Sequence, residues 1–247
     1  MNDVSADTKL DEYDNLINDR ERCDRCPDLI NMTELDDRCG FSKLPREIGA
    51  WSRWQGNLNA DLMIVAQDWG SQKDYIKQGG WDESIVGGKL TITNQNLICL
   101  MGSIGRTLRP PEEHEQEQHY FFTNTALCMR RSNSSSGGAK SAWFSNCRAF
   151  LRCQIDIVNP KVIVTLGKVP FDNVLKALDY DFDYGGMKFK DVVDRHEPIT
   201  VRSGMRLVPV FHCGLFGVNV NRRSPDRTDV LQAHSKDWET VKKCLDD

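Results

Sequence analysis

Four short apolar runs alternate along this chain with stretches of helical periodicity, and that alternation restricts the fold more than any other feature of the sequence. The runs lie at 61–66 ("DLMIVA"), 119–124 ("HYFFTN"), 161–167 ("KVIVTLG") and 205–211 ("MRLVPVF"). Being apolar on both faces, they suit strands in the middle of a parallel sheet covered by helices. Around and between them fall the helical stretches: Leu10–Arg22; Asn94–Leu108, with Leu97, Ile98, Leu100, Met101 and Ile104 at helical spacing; 144–158; a helix starting near Pro170; and Thr228–Cys244. Strand and helix in turn predict an α/β chain, a single-domain α/β/α sandwich on a central, mainly parallel four-stranded sheet.

A chain of 247 residues is long enough to bury such a core. It has no run of eighteen apolar residues and its N-terminus is polar and acidic, so a soluble, cytoplasmic protein with no membrane partner is expected. The net charge of −4 speaks against nucleic acid at face value, but the charge is unevenly spread. Residues 1–21 carry seven acids against Lys9 and Arg20, a local net of −5, and residues 1–22 read as an acidic N-terminal helix or tail. Between Asp194 and Arg227, by contrast, six arginines face Asp194, Glu197 and Asp226. That stretch is either a polyanion-binding surface or a solvated charged loop.

Three of the apolar runs finish on polar groups of complementary chemistry. "LMIVAQDWG" ends on Gln67, Asp68, Trp69 and Gly70; the second run ends on Asn124; the fourth leads to His212. In a parallel sheet these ends share one edge, where a carboxylate, an amide and an imidazole can face a common crevice. Taken alone, Asp68 reads more readily as the cap of the next helix, and it is the three strand ends together that favour a site.

Nine cysteines is a high count for an intracellular chain, and an odd number without a signal segment does not describe a disulfide framework. Cys23 and Cys26 form C-x-x-C, which lets two thiolates reach one metal or cluster from a single turn. Two more thiolates must come from elsewhere in the chain.

These residues resemble the uracil-DNA glycosylase superfamily, most of all its iron–sulfur branch, families 4 and 5. The resemblance runs from Cys23-x-x-Cys26 through "LMIVAQDWG", "FFTNTALCMRR" and "NCRAFLRCQIDIVNPKVIVTLG" to "LVPVFHC", and makes 23–247 one glycosylase-like domain. It implies a 4Fe-4S cluster on Cys23, Cys26, Cys128 and Cys147, stapling the N-terminal segment to the core, with Cys153 the rival for the fourth place. Cys39, Cys99, Cys213 and Cys244 read as ordinary or buried thiols.

The resemblance also implies a monomeric enzyme that flips a uracil or modified pyrimidine out of DNA and hydrolyses its N-glycosidic bond. Such a site needs negative charge under a cationic sugar and a donor at the departing base. Asp68 and His212 fit those two catalytic roles, Asn124 can read a pyrimidine edge, and Gln67, Trp69, Gly70 and Trp81 are expected around the base. Leu215 and Phe216 are candidate wedges, or simple loop packing, with Arg222, Arg223 and Arg130 on the DNA. Departures from the family patterns bear on substrate. Family 4 usually reads G-E-x-P-G at the first motif, family 5 has no acid there, and family 1 reads G-Q-D-P-Y, whereas this chain reads Ala66-Gln67-Asp68-Trp69-Gly70. Gly70 stands where family 1 excludes a 5-methyl group with tyrosine. A bulky 5-modified cytosine of phage DNA, attacked in antiviral defence, is therefore the alternative substrate. A reading of another class is a non-catalytic, cluster-stabilised nucleic-acid-binding module.

Overall fold

The computed structural model describes residues 6–40, 55–77, 85–86, 89–90, 92–108, 119–131, 138–214 and 228–247. Their chain order is α1 (Ala6–Glu21), β1 (Leu29–Ile30), α2 (Met32–Cys39), β2 (Leu62–Ala66), α3 (Gln72–Lys77), β3 (Ile85–Val86), β4 (Lys89–Leu90), α4 (Ile92–Ser103), β5 (Tyr120–Asn124) and β6 (Met129–Arg130). There follow α5 (Ser141–Val158), β7 (Val162–Leu166), α6 (Lys168–Ala177), α7 (Phe189–Asp194), β8 (Ile199–Arg202), β9 (Met205–Val210) and α8 (Thr228–Asp246).

Every side chain of β2, β5 and β7 is buried, as strands apolar on both faces require. The main sheet runs β5-β2-β7-β9-β8, with the first four strands parallel and β8 antiparallel to β9. The expected four-stranded sheet thus has a fifth strand. Its sequence, "ITVR", is only partly buried, and an edge strand on a two-residue turn through Gly204 carries no continuous apolar run to announce it.

Alternate residues of β2 feed the two layers. Leu62, Ile64 and Ala66 join Leu97, Leu100, Met101, Val208, Trp238 and Val241 on one face. Met63 and Val65 join Tyr13, Leu16, Ile17, Phe150, Ile155 and Phe171 on the other. Helix α1 thus joins the core through Tyr13, Leu16 and Ile17, and Lys9 Nζ donates to the Val158 carbonyl at the end of α5 (3.1 Å). Helix α4 stops at Ser103, earlier than its periodicity suggests, because Gly105 adopts φ +73° and Arg106 N–H turns back to Met101 O. α5 ends as expected, on left-handed Asn159. One glycine is demanded by packing: a Cβ on Gly56 would run into the Tyr120 carbonyl where 55–57 lies along β5.

Candidate functional site at the C-terminal sheet edge

Parallel pairing sets the strand ends in register, so their following residues emerge at one edge. Ala66 is opposite Asn124, and Leu166 opposite Val210. Asp68 and His212 each lie two residues past the last of these pairs, on strands separated only by β7. Sheet spacing puts their backbones about 10 Å apart. Gly167, which ends β7 at φ +102°, adds no side chain to the gap, and its Cβ position would be 3.7 Å from His212 Cβ.

The turn after β2 is held by β5's continuation. Thr125 N–H donates to Ala66 O (2.9 Å), Ala126 N–H to Gln67 O (3.0 Å), and Thr125 Oγ1 to Gln67 O (2.7 Å). Within it the Asp68 carboxylate accepts three hydrogen bonds: Gly70 N–H on Oδ1 (2.9 Å), and Gln67 Nε2 (2.8 Å) and Arg130 Nη2 (2.7 Å) on Oδ2. The Gly70 bond is a local turn two residues ahead of Gln72, the first residue of α3, so these bonds of Asp68 hold its own turn and do not cap that helix. Arg130, expected on DNA, instead forms this ion pair, with side-chain exposures of 10% for Arg130 and 8% for Asp68. Its guanidinium also sits over the Trp143 ring, 5.9 Å from the centroid. Sequence reading missed both contacts.

His212 is braced from the other side. Gly214 N–H donates to His212 Nδ1 (2.9 Å), so the neutral ring carries its proton on Nε2. Burial lowers the imidazole pKa below its ordinary 6.5, opposed by the nearby charge of Asp68. A Cβ on Gly214 would lie 2.7–2.9 Å from two ring atoms and Thr93 Oγ1, so only glycine lets the backbone approach this closely. Asn96 Nδ2 fixes the same segment by donating to Cys213 O (2.8 Å).

Asn124 is 1% exposed, and its Oδ1 has no hydrogen-bond partner among the described residues. A buried acceptor left unmet costs about 1–3 kcal/mol, so a donor from beyond the described residues would be stabilising here. The aromatics of the turn are placed differently from expectation. Trp69 packs in the core, 6.2 Å from Phe122, not as a free wall for a ring. Gly70, at φ +88°, has no atom of the described residues within 4 Å of its Cβ position. Trp81, Leu215, Phe216, Arg222 and Arg223 lie outside the described residues.

The cysteines assemble a second feature. Cys23, Cys26, Cys128 and Cys147 line one cavity of about 120 Å³, and no described cysteine is in a disulfide. Burial pushes Cys147 up to about 12, with Cys128, Cys26 and Cys23 adding to the shift. Burial also raises Cys128, opposed by Arg20. Asn146 Nδ2 donates to Cys26 Sγ (3.3 Å). Cys153 is exposed, away from this cavity. Among the described residues no three His, Cys, Asp or Glu side chains are gathered tightly enough for a single metal ion. A tetrahedral zinc would need thiolates under about 4 Å apart, whereas a polynuclear cluster takes them further apart.

Comparison with known proteins agrees with this architecture. Residues 54–232 match the family model described as the uracil DNA glycosylase superfamily. That span holds Asp68, Asn124 and His212 but begins after Cys23 and Cys26. A curated relative, the type-5 uracil-DNA glycosylase of Pyrobaculum aerophilum, is 23% identical over 220 residues, covering 85% of this chain and 86% of the relative.

Proposed function

The chain belongs to the uracil DNA glycosylase superfamily, and we propose that it is a DNA glycosylase that flips out a uracil or modified pyrimidine and hydrolyses its N-glycosidic bond. The observation that carries this reading is the facing of the Asp68 carboxylate and the neutral His212 imidazole across the open end of β7, with the unmet Asn124 oxygen on the neighbouring strand. Loss of a pyrimidine leaves positive charge on the sugar and negative charge on the base. Asp68 stabilises the first and orients water; His212 Nε2–H donates to the second. Asn124 Oδ1 takes a hydrogen from the base, which both uracil N3–H and a cytosine amino group supply. Gln67 braces Asp68 through its amide, and Trp81 is the candidate ring to stack on the flipped base.

One observation favours the second reading of substrate. Among the described residues nothing fills the Cβ position of Gly70, which leaves room for a substituent on C5 that a side chain there would block. A bulky 5-substituted cytosine, as in modified phage DNA, is then the substrate, and the role is defence rather than repair.

The cavity-lining thiols fit a 4Fe-4S cluster held by Cys23, Cys26, Cys128 and Cys147, which cross-links the segments 23–26, 128 and 147. The donor set supports it: four thiols, an amide N–H on one sulfur, and Arg20 beside them to offset the anionic charge of four thiolates. A brown preparation carrying iron and sulfide is expected; stoichiometric zinc in a colourless protein would overturn the assignment. The DNA contacts are assigned to Leu215 and Phe216 as wedges and to Arg222 and Arg223 on phosphates.

The decisive experiment incubates the purified protein with oligonucleotides and phage DNAs carrying uracil, thymine mismatches and 5-substituted cytosines, and identifies released bases by mass spectrometry. Release of one base class, abolished in Asp68→Asn, is expected. Binding without release from any member would make the chain a non-catalytic nucleic-acid-binding module.

A further inference from the structure

We propose that Arg130 is a positioning residue for Asp68, locking the carboxylate so that Oδ1 alone is presented to water and sugar, and that Arg130 is itself held in place by the cysteine-lined segment. The inference rests on the glycosylase reading and goes beyond it in naming the group that orients the carboxylate. An ionised carboxylate offers about four acceptor positions. At Asp68 three are taken, two of them on Oδ2 by Gln67 and Arg130 and one on Oδ1 by Gly70 N–H. The remaining position is on Oδ1, and the two donors on Oδ2 prevent the group from turning over.

Gln67 is adjacent to Asp68 in the chain and moves with it. Arg130 is the restraint that comes from elsewhere. Its backbone N–H donates to Gly70 O (3.0 Å), its guanidinium spans to Asp68, and Trp143 covers the guanidinium from α5. The same residue closes the β1–β6 ribbon, opposite Leu29. Leu29 N–H donates to Cys26 O (3.0 Å), Arg131 N–H to Asp28 O (3.1 Å), and Cys128 stands two residues before Arg130. The two chain segments that meet at Arg130 are thus the ones that bring Cys26 and Cys128 to their cavity. A guanidinium serves here where an ammonium does less well, because it can stack on Trp143 and point one N–H along a fixed direction.

The test uses the full chain with Arg130→Gln and Arg130→Lys. Four quantities are read: single-turnover base release, affinity for a duplex carrying a tetrahydrofuran abasic analogue, visible absorption, and the Asp68 rotamer in a crystal structure of each variant. Arg130→Gln is expected to slow base release about 10²-fold, the cost of misplacing a reacting group by about 1 Å, with duplex affinity within twofold and absorption unchanged. Arg130→Lys, which keeps a charged donor, recovers at least tenfold of that loss. Adding Asp68→Asn to Arg130→Gln slows release by much less than Asp68→Asn does alone. Wild-type rates in Arg130→Gln, a loss confined to duplex affinity, or full additivity with Asp68→Asn would overturn the inference. Should the wild-type chain release no base at all, the glycosylase reading fails instead. The rotamer then decides this one: an Asp68 side chain unmoved in Arg130→Gln overturns it, and a reoriented carboxylate supports it.

Discussion

His212 is kept neutral by its surroundings and kept in one tautomer by a single backbone amide. Burial holds its folded-state pKa below 6.5, so as pH falls through 6.5 the unfolded chain takes up a proton before the folded one does. Folding stability from this residue is therefore fully present above 6.5 and is lost below it. The donor role of Nε2–H has the same direction, since the neutral ring with Nδ1 occupied by Gly214 N–H is already the donating form. Base release is expected to show no loss from His212 between pH 8 and 6.5. An NMR titration of the imidazole should find its midpoint under 6.5, and a midpoint above it would contradict both the burial and the neutral-donor role. Asp68 and His212 stand out in the sequence as a pair, because a carboxylate and an imidazole past strands of one parallel sheet share an edge, although either alone reads as a cap or a chance polar residue. The burial of Trp69 was not legible: it follows the same strand, and its ring packs against Phe122 of β5 in the core. Arg130 was illegible as a partner of Asp68, because 62 positions separate them and no periodicity links 68 to 130.

At the scale of elements, the four long strands and the helices flanking them follow from runs whose burial alone decides their state. The elements around the cysteines do not. β1 and β6 are two residues each, paired with one another and, at Arg130, bridged to Ser71, so they are too short to have a pattern to detect. They exist because the segments 23–30 and 128–131 are brought together at the cavity and by contacts such as Arg131 Nε to Leu29 O (2.7 Å). C-x-x-C spacing and the family resemblance located the thiols; the ribbon that connects them to Asp68 became visible only once the segments met. If the four thiols share one cluster, Cys23→Ser, Cys128→Ser and Cys147→Ser should each bleach the visible absorption and lower the melting temperature. Cys153→Ser, on an exposed face of α5, should change neither. Equal effects from Cys153→Ser would return that residue to the ligand set and displace Cys147.

For the whole molecule, the uneven charge distribution and the packing of α1 have to be reconciled. The first 21 residues hold most of the excess acid, and by charge alone they resemble a disposable tail that a DNA-binding protein would keep away from its substrate. The packing says otherwise. Tyr13, Leu16 and Ile17 are buried against the α5 side of the sheet, and Tyr13 meets Phe121 of β5 edge-on at 6.1 Å. Arg20 is 2% exposed, donating to Asn31 Oδ1 (2.6 Å) and the Leu127 carbonyl (3.0 Å), so it fastens both segments that lead to the cysteine cavity. The apolar face of α1 thus has this core as its partner. Each large apolar side chain withdrawn from a core costs about 2–5 kcal/mol, and a domain's total stability is about 5–15 kcal/mol. Deleting residues 1–21 removes three such side chains together with the Arg20 bonds, a loss as large as the whole margin. The truncated chain should therefore be largely unfolded by circular dichroism and colourless as prepared. A soluble, brown truncation that still melts cooperatively near the full-length temperature would show α1 to be an appendage and leave Arg20 without a structural role.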